Sequence, residues 1–217
     1  SFVIPRRNWT TGTAYDIYRH DYEEYVTGSS STKVTANSTA TTLFDATFYV
    51  LTSDRNVYKC LDNDGNTAST VEPTGTSTSV ITTGDGYKWK YMYTLSAAQQ
   101  SNFLSTDFMA VATNSTVSSA ATDGGIDIVK IKTAGSSYTV SGGGTSGTIT
   151  NVPIRGDGSS AVCSVTLTSG AITAVTITTN GSGYTSGYIR NADIIGATGA
   201  GGAGSGAELD VIIPPKG

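Results

Sequence analysis

Shifted by 46 residues, the second half of the chain overlays itself, and few sequence features restrict a fold more than an internal repeat. The run Ile126-Asp-Ile-Val-Lys-Ile-Lys-Thr-Ala-Gly-Ser-Ser-Tyr-Thr139 meets Ile172-Thr-Ala-Val-Thr-Ile-Thr-Thr-Asn-Gly-Ser-Gly-Tyr-Thr185. At the same offset, Gly156 to Leu167 meets Gly202 to Ile213. Two units follow, 126–171 and 172–217. Each reads strand, Gly-Ser turn with a tyrosine, variable loop, Gly-rich turn, strand. Gly135 and Tyr138 mark the turn of the first unit; Gly181, Gly183 and Tyr184 mark that of the second. In the closing strands Ala161, Cys163, Val165 and Leu167 share a face, as do Ala207, Leu209, Val211 and Ile213. Neither unit can bury such a face alone, so the two are predicted to stack or pair into one small β module.

The rest of the chain has a different character. Of 26 glycines, 20 lie from Gly124 onward, while only three of the 19 aromatic residues lie beyond residue 110. The polar run Thr113 to Thr122 reads as a linker, which divides the chain into 1–120 and 121–217. In the first part, Tyr15-Asp-Ile-Tyr18 is a short strand candidate. Phe44 to Leu51 and Asn56 to Leu61, separated by Thr52-Ser-Asp-Arg55, read as a hairpin. From Tyr87 to Leu95 the alternation is strict, with Tyr87, Trp89, Tyr91, Tyr93 and Leu95 on one face and Lys88 and Lys90 on the other. Ser96-Ala-Ala-Gln99 has capping-box spacing and opens a short helix over residues 97–104. The expected class is all-β, mainly antiparallel and β-sandwich-like, with one or two short helices.

Little in the sequence points to chemistry. Charged residues make up 14% and the net charge is −4, which argues against a nucleic-acid partner. No 18-residue apolar run is present, so membrane insertion is not expected. Cys60 and Cys163 lack metal-ligand spacing and read as buried free thiols. His20, the one histidine, has Asp21 beside it but no third partner in sequence, and reads as a surface or interface residue. Asp62-Asn-Asp-Gly-Asn66 opens like a calcium loop, but the twelfth position is Pro73, so a turn explains it. The Gly142–Gly144 and Gly199–Gly206 runs lack the Lys-Ser/Thr tail of a phosphate loop. No cofactor, metal or catalytic residue is expected.

Five segments occur in order: Val3-Ile-Pro-Arg-Arg-Asn-Trp9, Tyr15-Asp-Ile-Tyr-Arg-His-Asp21, Val57-Tyr-Lys-Cys-Leu-Asp62, Val71-Glu-Pro73 and Gly84-Asp-Gly-Tyr-Lys-Trp-Lys-Tyr91. Together they resemble the baseplate wedge protein of contractile-tailed, T-even-type phages, the gene-product-eight family, and within it the cyanophage-like branch. Members of that branch are similar also in a Gly-Ser-Gly-Tyr repeat and an Ile-Ile-Pro-Pro run. The resemblance covers most of the chain and is weakest at 27–42 and 113–122. It implies a β-sandwich-like structural protein of the virion tail baseplate, assembled in the host cytoplasm. Other baseplate wedge proteins and a second copy in a homodimer would be its partners, and no catalytic residues carry over. It also implies that the chain is a central piece of a longer protein. The absence of an initiator Met and the abrupt tail agree with that.

As interface residues, the large aromatic and basic side chains Arg6, Arg7, Trp9, Tyr18, Arg19 and His20 are of the types enriched at binding hot spots. A rival reading is a glycan-binding or adhesin module with Tyr138 and Tyr184 as contacts. A tail-associated glycan hydrolase is a third; it would need paired carboxylates in a cleft, whereas the 17 acidic residues lie mostly in turn-like segments.

Overall fold

The computed structural model describes residues 2–22, 40 and 42–213. These fall into two compact units, one of residues 2–18, 40 and 42–121 and one of residues 19–22 and 122–213. Every strand ladder among the described residues is antiparallel, and three short helices lie wholly within them, so the fold is all-β.

Unit 1 contains β1 (Val3–Pro5), β2 (Tyr49–Leu51), β3 (Asn56–Asp62), β4 (Ile81–Thr82), β5 (Lys88–Thr94), α1 (Ala97–Phe103), β6 (Phe108–Ala110) and α2 (Ser115–Ala120). A four-stranded sheet runs β2-β3-β5-β4, and β1 pairs with β6 in a separate ribbon. The period-two pattern of β5 places Tyr87, Trp89, Tyr91, Tyr93 and Leu95 in the interior, with Lys88 and Lys90 only partly covered. Aromatic geometry organises part of that interior: Trp89 stacks on Tyr87 at 5.3 Å and meets Tyr15 edge-on at 5.8 Å. Leu51, Val57, Tyr93, Leu95, Met109 and Ala110 form an adjoining apolar cluster. The predicted hairpin is present, but its first strand is shorter than expected. It begins at Tyr49, and Phe44 is 79% exposed. The capping box at Ser96 and Gln99 is made in both directions and starts α1.

Two expectations for this region change. Tyr15–Tyr18 is no strand; it is buried backbone whose polar groups are satisfied off-ladder. Tyr18 N–H donates to Cys60 O (2.9 Å), the Tyr15 amide to the Tyr87 hydroxyl (3.2 Å) and the Asp16 amide to the Thr47 hydroxyl (3.4 Å). The expected linker at 113–122 contains α2, because the Asn114 side chain accepts from the Val117 amide and supplies an N-cap.

Unit 2 contains β7 (Ile128–Ser136), β8 (Gly147–Pro153), β9 (Arg155–Gly156), β10 (Val162–Thr168), β11 (Ala171–Thr179), β12 (Gly187–Tyr188), α3 (Asn191–Ile195) and β13 (Ser205–Ile212). The sheets are β11-β10-β8, β13-β7 and β12-β9. Here the repeat acquires its physical meaning. The first strand of each repeat pairs with the last strand of the other: β7 with β13, and β11 with β10. The registers match residue for residue under the 46-residue shift. Val129 faces Val211 as Val175 faces Val165, and Ile131 faces Leu209 as Ile177 faces Cys163. Even the bulge recurs, at Glu208/Leu209 and at Val162/Cys163. Both ladders feed one core, in which Val129, Val211, Ile149, Val165, Leu167 and Ile172 are all buried. The symmetry fails in the middle of each repeat, where the first contributes β8 and the second contributes α3.

Candidate functional site

Four of the five ordered segments meet at one node in unit 1, through Trp9, Tyr15, Val71 and the Asp85–Tyr87 turn, and the third runs beside it as β3, paired with β5. Asp85, in the Gly84-Asp-Gly86 turn, accepts hydrogen bonds from the hydroxyls of Thr83 (2.5 Å) and Ser69 (3.0 Å). It also accepts from the amides of Thr70, Val71 and Tyr87. The Ser69 hydroxyl in turn accepts from Trp9 Nε1 at 3.0 Å. Two residues on, the Tyr87 hydroxyl donates to Thr67 O (2.6 Å) and receives the Tyr15 amide (3.2 Å). Asn63, from the Asp62–Asn66 turn, donates to Tyr15 O at 3.1 Å.

Asp85 is a tie rather than an acid or base. Burial alone would raise its pKa, but the hydrogen bonds, that from Thr83 foremost, bring it down to about 2. A depressed carboxylate stabilises the fold above its ordinary pKa of 3.8 and loses that contribution as pH falls toward about 2. Replacement by Ala should therefore cost on the order of 2 kcal/mol at neutral pH. The stability difference between the two proteins should close between pH 4 and 2, read by urea titrations across that range.

The surface of the same unit carries an apolar ribbon. Phe2 (85% exposed), Val3, Phe108 and Val111 project from β1, β6 and their flanks, although Ile4, Met109 and Ala110 of the same strands face inward. The ladder sets Val3 opposite Ala110 and Pro5 opposite Phe108. Arg6 borders it, bonded to Ser105 O and Asn8 Oδ1, and its amide donates to Asp107 O.

Of the six residues expected at an interface, Arg6, Arg7 and Trp9 are partly exposed, and Arg7 lies over the Tyr49 ring. Tyr18 and Arg19 are buried and hold internal positions instead. Tyr18 packs edge-on against Phe48, with Lys59 over its ring. Arg19 belongs to unit 2, where it bonds Asp210 Oδ2 at 2.7 Å and Asp21 Oδ1 at 3.1 Å. Burial lowers its pKa, and the two carboxylates, Asp210 first, raise it by more, so the guanidinium stays charged. His20 Nδ1 accepts the Ile213 amide at 3.2 Å.

The turn tyrosines are core residues, which removes them as glycan contacts. Tyr138 and Tyr184 are 0% and 2% exposed. Each hydroxyl accepts the amide of the matched alanine, Ala207 or Ala161, at 3.3 Å, and each donates onward, to Asn191 Oδ1 or Ile154 O. Their turns are closely packed around Gly135 and Gly181, which abut the backbone at Ala207 and Ala161, while Gly183 faces open space.

The other perturbed carboxylates are similarly committed. Asp157 holds the Thr185 and Ser186 amides and the Thr185 hydroxyl, which keep it well below the usual range. Asp193 is held low by Arg190 and, against the effect of burial, also by Arg155. Cys60 and Cys163 are buried and outside any disulfide, and burial pushes Cys163 up to about 12. No group of three or more metal-ligating side chains occurs among the described residues, and none of their helices is long and apolar enough to cross a membrane.

No protein-family model, curated protein or solved structure matches the chain. The apolar ribbon was not singled out from the sequence. Phe2 precedes β1 and Phe108 opens β6, and alternation over strands of three residues does not say which side chains lie outward.

Proposed function

We propose that the chain is a structural component of a contractile-tail baseplate wedge, working through protein–protein assembly contacts rather than turnover. The observation that carries this reading is the meeting of four of the five motif segments at the Asp85–Tyr87 node, with the third paired alongside in β3. Segments tied at one node form a structural unit, which supports taking the whole set as one resemblance rather than five coincidences. The β1–β6 ribbon supplies the contact surface in this reading. Exposed phenylalanines beside an arginine suit a protein interface, where aromatic and Arg side chains are enriched. Other wedge proteins are the partners, the full-length protein is a homodimer, and its place is the virion tail baseplate, assembled in the host cytoplasm.

Co-purification of the full-length protein with neighbouring wedge proteins tests this. Intact protein is expected to retain them. Phe2→Asp combined with Phe108→Asp should reduce recovery by about tenfold or more. The melting temperature should change little, because Phe2 is 85% exposed and Phe108 about half exposed (49%). Failure of the intact protein to retain any wedge protein would overturn the proposal.

A further inference from the structure

Unit 2 has three aromatic residues beyond β7, and two of them obey the internal symmetry. Tyr138 and Tyr184 are matched, buried and doubly hydrogen-bonded. Tyr188 is the exception. The residue 46 positions before it is Gly142, and its own ring is 53% exposed. It borders a groove of about 330 Å³ formed with Arg155, Gly156, Gly158, Ser159 and Ser160.

In the other repeat the corresponding position is closed by the chain itself. A Cβ on Gly201, the match of Arg155, would sit 2.3 Å from Thr139 Oγ1 and 2.6 Å from Val140 O. The groove therefore lies where one half of a duplicated fold departs from the other, and an unmatched aromatic forms one wall.

That wall is fixed in place. β12 pairs with β9 so that Tyr188 stands opposite Arg155. Asp157 ties down the turn at 185–186, and Asp193 holds both Arg155 and Arg190. Local charges cancel, with two arginines against two aspartates, and the chain as a whole is negative. An anionic polymer gains little here. An exposed tyrosine beside two serines, glycine backbone and an arginine suits a ligand with an apolar face and a rim of hydroxyls. A pyranose ring has that form. The volume, at the lower end for ligand pockets, suits one or two sugar rings.

We propose that this groove is a subsite for a neutral saccharide, with Tyr188 as the stacking platform and Arg155, Ser159 and Ser160 as hydroxyl partners. The test is a titration of the isotopically labelled chain with maltohexaose, cellohexaose and chitohexaose, followed through the amide resonances of Gly156, Gly158, Ser159, Ser160 and Tyr188. At least one sugar should shift these resonances saturably. Tyr188→Ala should weaken that binding about tenfold, and Tyr188→Trp should preserve it. Both variants change an exposed side chain, so an unchanged spectrum elsewhere serves as the folding control. Saturable shifts from none of the three sugars would overturn the proposal. So would undiminished binding by Tyr188→Ala, or tighter binding of polygalacturonate than of the neutral sugars.

Discussion

Gly158→Ala should lose cooperative folding of the 46-residue repeat module. The added Cβ would lie 2.3 Å from Tyr184 Cδ2, 2.4 Å from Cγ and 2.6 Å from the Tyr184 amide nitrogen. A flexible side chain could yield, but this ring cannot. Its hydroxyl is fixed between Ile154 O (2.9 Å) and Ala161 N–H (3.3 Å), and the third contact is backbone. Overpacking of this kind costs about 3 kcal/mol or more, a large share of a small module's stability. Symmetry supplies the replicate. A Cβ on Gly204 would lie 2.2 Å from Tyr138 Cδ1, and its φ of +121° adds backbone strain to any side chain placed there. Amide exchange along β10, β11, β7 and β13 would report both variants as a collapse of protection. Native protection in Gly158→Ala would show that Tyr184 is not the fixed post described above.

The same glycines explain how far the sequence could be read. The duplication, its boundaries and the turn tyrosines were legible because an offset preserves identity. Partnership was not legible. A 46-residue shift makes β7 equivalent to β11 without saying that β7 pairs with β13. Both arrangements bury the same alternating faces, and the choice rests on which arrangement lets both bulges recur and Tyr138 and Tyr184 reach the opposite repeat. Burial of the tyrosines was hidden for a related reason. A Gly-Ser-x-Tyr turn looks like surface until the glycine that makes room for the ring, 20 or more residues away in sequence, is placed beside it. In unit 1 the strictly alternating β5 and the Ser96 cap were plain because each is a local signal. Tyr15–Tyr18 misled because β-favouring residues can be buried without a ladder when side-chain hydroxyls and a single neighbouring carbonyl satisfy the backbone.

Arg19 shows what such hidden placement costs when it is undone, and Arg19→Ala is expected to be among the most damaging single changes in unit 2. The side chain is fully buried, bonded through Nη1 to Asp210 and through Nε and Nη2 to Asp21. Asp210 sits on β13 opposite Lys130 of β7, so the network reaches the ladder that joins the two repeats. Removing the guanidinium leaves two buried carboxylates facing the vacated space, a loss of about 3–5 kcal/mol. Arg19→Lys should retain part of this, because it keeps the charge but gives up the two-pronged contact with Asp21. The sign of the pH response separates this mechanism from simple loss of packing. Losing the guanidinium makes protonation of the carboxylates that faced it less costly in the folded chain than it is with Arg19 in place. The Arg19→Ala deficit should therefore shrink as pH falls from 7 toward 5 in paired urea titrations, whereas a deficit due to an empty cavity would not respond to pH. A pH-independent loss would assign Arg19 a filling role and make the ion pairs incidental to the stability of β13.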